Sequence, residues 1–451
     1  MFTSINPFTQ ETIAAYTAHT EQEIEKKLLM GERAYRQLLQ IPLEQRCQWM
    51  MGVAKSLKDN VAEHAALITQ EMGKTKLEAE GEVLKCATSA EYYAENIAEM
   101  LQPKLITSDA YKSYVAYEPK GIILAIMPWN FPYWQVFRFA LPNILAGNTG
   151  LLKHASNVSG CALAIERVFA ESGFPAGTFQ SVLVSSKNIE PIIADPRIQG
   201  VTLTGSTPAG RSVAALAGKY IKKTVLELGG SDPFIVLKDA DLEAAAKTAV
   251  QGRMQNAGQS CIAAKRWIVE KEVVPAFTEL VHHFLENIQQ GDPTLESTTM
   301  GPMARPDLAE ELAKQLQETI RQGARLELGG THEGCNFAPT LLTGVTNNMT
   351  AFKEETFGPL AVIIEAKDEQ EAIALANETD FGLGAALWTS DLDKAARLAT
   401  QIESGNVFIN AMVRSDARLP FGGVKQSGYG RELSLEGTHE FLNVKTVYIK
   451  Q

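Results

Sequence analysis

The chain of 451 residues is too long for one compact core, so two or three domains are expected. Its 42 basic and 53 acidic residues give a net charge of −11 without any basic run, which excludes the usual pattern of a nucleic-acid-binding protein. Five scattered cysteines without a C-x-x-C pair fit neither a disulfide framework nor a zinc site, and no apolar run reaches membrane-spanning length. These features predict a soluble, cytoplasmic protein with no metal, nucleic-acid or membrane partner.

The N-terminal part of the chain predicts a run of amphipathic helices at residues 21–39, 43–58, 61–72 and 76–101. Residues 111–118 then alternate in polarity as a half-exposed strand does, and a Pro-Lys-Gly turn leads into a buried strand at 122–127. Since tyrosines lie along the half-exposed strand, we expect it to form an edge that pairs with another subunit.

Further strands alternate with helices along the next hundred residues, at 149–153, 179–184, 201–204 and 224–228. This alternation indicates βαβ units and a parallel, doubly wound sheet. The segment Ser231-Asp-Pro233 breaks the pattern and marks a domain boundary after residue 229. Beyond it, helices are predicted at 242–256, 274–288, 306–322, 369–377 and 392–402, and strands at 266–269, 360–364 and 385–389.

One cysteine has the surroundings of a nucleophile. Residues 256–265 read Asn-Ala-Gly-Gln-Ser-Cys-Ile-Ala-Ala-Lys, so Cys261 is flanked by small and amide-bearing side chains that let a substrate carbonyl reach its sulfur. A free thiol with a pKa of about 8.5 is already a strong nucleophile, and backbone N–H groups around such a turn could activate it without a metal. The alternative is an inert, buried cysteine, which is the commoner state of a lone thiol.

Two stretches at strand ends have the pattern of a dinucleotide site. Gly205 and Ser206 begin a turn between a predicted strand and helix, where backbone N–H groups and the helix dipole bind phosphate. The motif is not G-x-G-x-x-G, so a simple tight connection is the alternative. Lys153 and Ser156 end the neighbouring strand, where dinucleotide enzymes read the ribose. Because an acid at Ser156 would repel a 2′-phosphate, this pair favours NADP, with NAD as the second choice.

Two polar residues beside predicted strands could assist a cysteine nucleophile. Asn130, within Pro-Trp-Asn-Phe-Pro, could stabilise an oxyanion through its amide N–H, although capping of the following helix is the simpler role. Glu227 ends a short strand against two glycines, which is a poor place for a surface ion pair. We expect a partly desolvated carboxylate with a raised pKa, suited to general-base work.

Together these motifs resemble those of the aldehyde dehydrogenase superfamily, and the likeness covers essentially the whole chain. The matching segments are residues 128–132, 153–156, 203–207, 227–230, 258–261, 355–359 and 420–428. The resemblance implies an α/β fold with a Rossmann-type cofactor domain, an α/β catalytic domain and a small β oligomerisation extension.

The resemblance also assigns roles. It implies that an aldehyde is oxidised to a carboxylic acid through a cysteine thiohemiacetal and thioester, with Cys261 as the nucleophile, Glu227 as the base and Asn130 as the oxyanion donor. The implied cofactor-binding residues are Trp129, Lys153, Ser156, Gly205, Ser206, Glu355 and Phe357.

Within this superfamily the chain is most similar to the short bacterial succinate-semialdehyde dehydrogenases that prefer NADP. Arg138 occupies the place where semialdehyde members carry an arginine for the substrate carboxylate. Ser415 and Arg414 would border the same entrance. There are two departures from the common pattern. Phe139 replaces a lysine that relays a proton in many members, so deacylation must rely on Glu227 and water, and Ser156 replaces the usual acid.

The resemblance further implies a domain division and an assembly. We expect a dinucleotide-binding domain from residues 1–104 and 119–229, a catalytic domain from 230–430, and oligomerisation segments at 105–118 and 431–451 that build a homodimer or homotetramer. The expected substrate is a small-molecule aldehyde, first of all succinate semialdehyde, and the nearest alternative is another small semialdehyde or an aliphatic aldehyde. A non-redox cysteine hydrolase would need a histidine partner for Cys261 that no motif supplies. A catalytically inactive member of the fold would not need Cys261, Glu227 and Asn130 together.

Overall fold

The computed structural model describes residues 1–451. Its α-helices, in chain order, are α1 (Glu21–Leu38), α2 (Leu43–Asp59), α3 (Val61–Met72), α4 (Lys76–Met100), α5 (Trp134–Ala146), α6 (Ser159–Glu171), α7 (Glu190–Ala194), α8 (Thr207–Lys219), α9 (Leu242–Met254), α10 (Val274–Glu286), α11 (Pro306–Arg321), α12 (Thr350–Lys353), α13 (Glu369–Asn377), α14 (Leu392–Ala399) and α15 (Ser434–His439). None of these helices combines the length and the apolarity needed to cross a membrane.

The strands form three larger sheets and two small hairpins. In chain order they are β1 (Phe2–Ile5), β2 (Thr12–Tyr16), β3 (Lys104–Leu105), β4 (Lys112–Pro119), β5 (Ile122–Met127), β6 (Thr149–His154), β7 (Phe179–Ser181), β8 (Ile198–Thr204), β9 (Lys223–Glu227), β10 (Asp232–Val236), β11 (Ala264–Glu270), β12 (Arg325–Leu328), β13 (His332–Glu333), β14 (Asn336–Phe337), β15 (Thr340–Thr343), β16 (Leu360–Ala366), β17 (Gly384–Trp388), β18 (Asn406–Ile409), β19 (Gly428–Tyr429) and β20 (Leu442–Ile449).

The first sheet has the strand order β19-β9-β8-β5-β6-β7 and is parallel except for β19. The chain runs outward from β5 to β7 on one side and from β8 to β9 on the other, so the direction of winding reverses between β5 and β8. Its strands are apolar runs buried on both faces, as β5 shows, because helices cover both sides of a parallel sheet. The predicted doubly wound α/β sheet is confirmed.

The second sheet has the order β12-β15-β16-β11-β10-β17-β18, and only its edge strand β12 is antiparallel. Strand β10, flanked by β11 and β17, was not predicted, because Pro233 reads as a breaker. Pro233 has no N–H to donate, but it lies where the pairing with β11 shifts register, and the pairing with β17 starts only at Phe234. The expectation that residues 231–233 interrupt the strand pattern is wrong, because β10 begins at Asp232, while the domain boundary after residue 229 stays a prediction.

The third sheet joins the C-terminus to the segment before the first sheet. Strand β20 pairs antiparallel with β4, from Ile449 opposite Lys112 to Leu442 opposite Pro119, and β3 lies on the other side of β4. The strand predicted at 111–118 is confirmed with a shift of one residue, but it is not the expected edge, because β4 lies between β20 and β3. The outer edge of β20 has no partner strand within the chain, and Val444 and Tyr448 on it are exposed.

Candidate active site

Two cavities meet at Cys261. The first, of about 400 Å³, is lined by the turns that follow β5, β8 and β9, by one face of α11, and by the loop after α12. The second, of about 300 Å³, is lined by side chains of α4 and α5 and by the loop after β18. Because Cys261 belongs to both walls, ligands that lie in the two cavities can approach each other at its sulfur.

The turn that carries Cys261 has a strained backbone. Asn256, Ala257 and Gly258 have φ angles of 55°, 51° and 72°, and the left-handed conformation costs roughly 1–2 kcal/mol for a residue with a Cβ. Helix α9 therefore ends at Met254, before its predicted end at residue 256. A Cβ at Gly258 would lie 2.2 Å from the Gly358 carbonyl oxygen. The turn is thus packed directly against the loop that follows α12.

Buried polar side chains hold this turn in place. Arg253 is fully buried, and it donates from Nε to the Leu360 carbonyl at 2.7 Å and from Nη2 to the carbonyl and hydroxyl of Thr356, each at 2.9 Å. Burial lowers the pKa of the Arg253 guanidinium to about 9. Glu78 on α4 accepts from the Asn256 N–H at 2.7 Å. These contacts hold the turn from several sides and so stabilise its strained conformation.

The thiol of Cys261 is not activated by the turn alone. Burial raises its pKa to about 12, while the positive charges of Arg138 and Lys265 act in the opposite direction. The surrounding protein therefore favours the neutral thiol and not the thiolate that the turn was expected to support. Lys265 Nζ donates to the carbonyl oxygens of Cys261 at 2.6 Å and of Ser260 at 3.0 Å, which fixes the backbone that carries the sulfur.

Asn130 is attached to the nucleophile turn by a network of amides. Its Nδ2 donates to the Gln259 carbonyl at 3.0 Å, and its Oδ1 accepts from Gln135 Nε2 at 3.1 Å. Its own carbonyl accepts from Asn256 Nδ2 at 2.8 Å. An amide nitrogen carries two hydrogens, so one is left for an oxyanion in the first cavity, which Asn130 lines. The Asn130 side chain does not cap α5, so the simpler role considered for it does not apply.

A buried ion pair positions the turn that contains Asn130. Lys74 and Glu82 are paired with both side chains almost fully buried. Lys74 Nζ donates to the Asn130 carbonyl at 3.1 Å. Glu82 Oε1 accepts from the N–H groups of Tyr133 at 2.8 Å and Trp134 at 2.9 Å. Glu82 thereby supplies the negative charge that a helix start favours, and α5 begins at a defined place beside Asn130.

Glu227 ends β9 and is buried, and neither of its carboxylate oxygens is bonded to a protein donor. Burial first, and then the negative charge of Glu432, raise its pKa well above the usual range, while Arg138 and Arg431 act in the opposite direction. This agrees with the desolvated carboxylate expected from its position. Glu227 does not line either cavity, so its side chain has to turn toward Cys261 before it can act on a substrate there.

The first cavity lies where the winding of the first sheet reverses. Trp129 follows β5, and Gly205 and Ser206 follow β8 and lead into α8, whose first turn has no side-chain cap. Free N–H groups at such a helix start bind phosphate, and the reversal point of a doubly wound sheet is where dinucleotides bind. The rings of Trp129 and Phe357 meet edge to face with 5.9 Å between centroids, which gives the cavity an aromatic wall.

Glu355 enters the same cavity from the loop after α12. Its Oε1 accepts from the Gly230 N–H at 3.0 Å and lies 3.3 Å from Lys265 Nζ. A Cβ at Gly229 would lie 2.3 Å from the other carboxylate oxygen, so only glycine leaves room for this arrangement. That second oxygen has no protein donor and can accept from a sugar hydroxyl.

Lys153 and Ser156 lie outside the wall of this cavity, at the carboxyl end of β6 and just beyond it. Since β6 pairs with β5, they lie one strand away from Trp129 in the same crevice. Lys153 forms no ion pair with an acid, its pKa is lowered by burial, and Ser156 is exposed. An unpaired lysine beside a free hydroxyl, with no carboxylate at either position, fits the 2′-phosphate of NADP.

The three residues predicted to bind substrate line the second cavity. Arg138 is buried, with its Nε paired to the buried carboxylate of Glu432 and its Nη2 donating to Thr204 Oγ1 at 3.1 Å. Ser415 is buried and Arg414 is exposed. The charge of Arg138 is therefore shared with an acid of the protein, whereas Nη1 has no protein acceptor.

The charged residues at the site that the sequence reasoning missed include Lys85, Lys265 and Glu432. Lys85 has the pattern of a surface residue on an amphipathic helix, and the partner of Glu432 lies in a distant helix, so neither carries a local motif. Lys265 did carry a signal, because a lysine within the apolar run of β11 has to find a buried partner. No group of three or more His, Cys, Asp or Glu side chains is arranged to hold a metal ion.

Comparison with known proteins agrees with this geometry. A Synechocystis sp. protein named as a probable succinate-semialdehyde dehydrogenase for NADP+ is 49% identical over 449 residues, with 99% of each chain covered. The NADP+ succinate-semialdehyde dehydrogenase 1 of Mycobacterium tuberculosis is 47% identical, again with 99% of each chain covered. The crystal structure of succinic semialdehyde dehydrogenase from Streptococcus pyogenes in complex with NADP+ has a TM-score of 0.98 and 37% identity, with 100% of each chain covered. The sequence model described as the aldehyde dehydrogenase family matches residues 1–447, and the chain belongs to that family.

Proposed function

We propose that this enzyme oxidises succinate semialdehyde to succinate with NADP+. The observation that carries the proposal is the second cavity, which has the Cys261 sulfur on one wall and the cations Lys85, Arg138 and Arg414 on others. A short aldehyde with a terminal carboxylate matches this arrangement, because its carbonyl meets the sulfur while its carboxylate meets positive charge. The names of the Synechocystis, M. tuberculosis and S. pyogenes proteins point to the same substrate.

The reaction begins when Cys261 Sγ bonds to the aldehyde carbon and the carbonyl oxygen takes the electron pair. Asn130 Nδ2 and the Cys261 N–H donate to that oxygen, an effect worth roughly 3–4 kcal/mol per donor in other enzymes. The thiol must first lose its proton, which passes to a water molecule. Its high pKa makes this step depend on the positive charges of Arg138 and Lys265, which favour the thiolate.

The first cavity would hold the cofactor. Gly205 and Ser206 would bind its phosphates, Glu355 a ribose hydroxyl, and Trp129 and Phe357 the nicotinamide. When bound, NADP+ accepts a hydride from the carbon attached to Cys261, which leaves a thioester. Lys153 and Ser156 would contact the 2′-phosphate. NAD lacks that group and would lose those charge-assisted hydrogen bonds, so it would be the poorer cofactor.

Glu227 would complete the reaction as a general base. It turns from its place beside Glu432 toward Cys261 and takes a proton from a water whose oxygen bonds to the acyl carbon. The carbon–sulfur bond breaks, succinate leaves and the thiol is restored. Phe139 has no proton to pass. The charged groups that act on Glu227 are Glu432, Arg138, Arg431 and Glu440, and the two arginines limit how far its pKa rises.

We further propose that the chain forms a homodimer or homotetramer in the cytoplasm. The unpaired edge of β20, within the predicted oligomerisation segments 105–118 and 431–451, supports the assembly. The division into 1–104 with 119–229 and 230–430 is supported by the separate large sheets. All five cysteines are free, which suits a reducing compartment. A monomer in light scattering at micromolar protein concentration would contradict the assembly.

The substrate is tested by comparing kcat/KM values, with each reaction monitored through the absorbance of the reduced nicotinamide. Succinate semialdehyde, the next longer semialdehyde and uncharged butanal are each assayed with NADP+ and with NAD+. We expect succinate semialdehyde with NADP+ to give the highest value. Equal values for butanal would reject a carboxylate-bearing substrate, and ester hydrolysis without reduction of either cofactor would favour the hydrolase alternative.

A further inference from the structure

Lys85 on α4 places a cation without an acidic partner on the wall of the second cavity. Its Nζ lies 2.9 Å from Ser415 Oγ and 4.1 Å from the centroid of the Trp134 ring. No carboxylate oxygen lies within 4.0 Å of it. An ammonium has three hydrogens and only one is used here. Lys85 is therefore held in a fixed position by neutral groups, with two donors left for a ligand.

Ser415 adds a second free donor at the same place. Its Oγ accepts from Lys85 Nζ at 2.9 Å and from Trp134 Nε1 at 2.8 Å. A hydroxyl oxygen has two lone pairs, so both are taken, and the hydroxyl hydrogen must point elsewhere. No protein acceptor takes that hydrogen. Lys85 and Ser415 thus present a cation and an O–H donor side by side, which is the pattern that a carboxylate accepts from.

The acids on the same wall do not offset this charge. Glu82 is paired with Lys74 and bonded to two backbone N–H groups. Glu78 accepts from the Asn256 N–H and from the hydroxyl of Thr75. Both acids are thus neutralised or saturated by groups behind the wall. A half-buried ammonium with no acid to pair with it is costly unless an anion joins it.

We propose that Lys85 and the hydroxyl of Ser415 bind the carboxylate of the substrate, and that Lys85 sets the preference for a carboxylate-bearing aldehyde over an uncharged one. This inference rests on the proposed oxidation of succinate semialdehyde. Arg138 faces the same cavity but has Glu432 as its own acid. The carboxylate consequently meets one buried cation that is already paired, Arg138, and one half-buried cation that has no acid of the protein, Lys85, while the third cation, Arg414, is exposed to solvent.

The protonation of Lys85 gives the inference a pH signature. Burial lowers the pKa of Lys85 to about 8. The charged or titratable groups around it or on the same cavity wall are Glu78, Glu82, Cys86, Arg138, Cys261, Arg414 and Asp416. Of these, Asp416 is paired with Arg418. Below pH 8 the ammonium is charged and attracts the carboxylate. As the pH rises through about 8 the charge is lost, so KM for the carboxylate-bearing substrate should rise while KM for an uncharged aldehyde should not.

The experiment compares the wild type with Lys85→Met and Lys85→Arg. Each is assayed with succinate semialdehyde and with butanal at pH 6.5 to 9.5. We expect Lys85→Met to raise KM for succinate semialdehyde about 10- to 100-fold, the range for a lost charged hydrogen bond, with a much smaller change for butanal. Lys85→Arg should restore most of the affinity and abolish the rise of KM near pH 8, because a guanidinium stays charged. Lys76→Met, an exposed lysine on the same helix, is the matched control.

The outcomes separate this inference from the proposed function. If the wild type uses butanal as well as succinate semialdehyde, the proposed function fails and the inference fails with it. If the wild type prefers succinate semialdehyde but Lys85→Met affects both aldehydes equally, the inference alone is overturned. A KM that rises near pH 8 unchanged in Lys85→Arg would also overturn it, since another group would then carry the titration.

Discussion

The two cavities on either side of Cys261 are built from different parts of the protein. The first is formed on one side by main-chain turns that directly follow β5, β8 and β9, so the hydrogen-bonded sheet fixes that side, and α11 with the loop after α12 forms the other. The second is formed by side chains from α4, α5 and one loop, whose positions depend on packing and on pairs such as Lys74 with Glu82. The sheet therefore supplies a general cofactor crevice, and the helices supply the substrate preference. Substitutions in one cavity should leave the ligand of the other largely unaffected.

The largest effect is expected at Cys261, whose sulfur is accessible from both cavities. Cys261→Ala should lower aldehyde oxidation by more than about 10⁴-fold, because no other thiol lines either wall. Both cavities should keep their ligands, so titrations of the variant should show NADP+ and succinate binding close to wild type. Substantial turnover in the variant would mean that Cys261 is not the nucleophile, and loss of NADP+ binding would mean that the cavities are not independent.

The second-largest effect is expected at Glu227, which lines neither cavity. Glu227→Gln should slow turnover by about 10²–10⁴-fold, the usual contribution of a general base. Hydride transfer needs no base of this kind, so stopped-flow absorbance should show a burst of close to one NADPH per site before the slow phase. Absence of the burst would place Glu227 in an earlier step, such as deprotonation of Cys261.

Local sequence patterns predicted the parts of the first cavity that directly follow a strand, whereas Trp129, Glu355 and Phe357 were identified only through the resemblance. A buried strand followed by Gly205 and Ser206, or by a turn with Asn130, is a short-range pattern with a structural meaning. Strand β10 was not predicted. The proline within it is tolerated only because the pairing with β11 shifts register there, and this register shift is a tertiary feature. Likewise the hairpin of β1 and β2 consists of short, half-exposed segments with weak alternation.

The second cavity could not be predicted in the same way. Arg138, Ser415 and Arg414 were identified only through the resemblance to semialdehyde enzymes, and Lys85 was not identified at all. Lys85 meets Ser415 across 330 residues of sequence, and nothing near it distinguishes it from a solvated lysine. Residues whose role depends on distant partners carry no local sequence pattern. The substrate preference could therefore be predicted only from the resemblance to semialdehyde enzymes.

Arg138 offers a test of whether the second cavity also influences the base. Arg138→Ala removes a substrate contact and leaves the buried carboxylate of Glu432 unpaired, which costs roughly 3–5 kcal/mol of stability. It should raise KM for succinate semialdehyde, as Lys85→Met does. Unlike Lys85→Met, it should also lower kcat for both aldehydes near neutral pH, because Arg138 lowers the pKa of both Glu227 and Cys261, and its loss lets both pKa values rise.

The pH profile of the Arg138 variant tests whether Arg138 influences the general base. A base with a higher pKa is deprotonated only at higher pH, so kcat of Arg138→Ala should recover as the pH rises. Chemical denaturation gives the stability change, with Lys85→Met as the comparison that breaks no buried pair. If Arg138→Ala is as stable as wild type and affects succinate semialdehyde alone, then the pair with Glu432 has no influence on Glu227.

The smallest effect is expected beside the first cavity, at Ser156, which we propose distinguishes the two nicotinamide cofactors. Ser156 is exposed and stands just beyond Lys153, which has no acidic partner. Ser156→Glu would place a carboxylate that pairs with Lys153, accepts from a 2′-hydroxyl and repels a 2′-phosphate carrying nearly two negative charges. The loss of charged hydrogen bonds to that phosphate is worth about 1–3 kcal/mol, so the ratio of kcat/KM for NADP+ over NAD+ should fall about 10- to 100-fold. Ser156→Ala removes the hydroxyl without adding charge and should change the ratio less.

In both variants the preference for succinate semialdehyde over butanal should stay at the wild-type value, since that choice is made across Cys261 in the other cavity. An unchanged cofactor ratio in Ser156→Glu would show that the 2′-phosphate is read elsewhere, and a changed aldehyde preference would show that the two cavities are coupled.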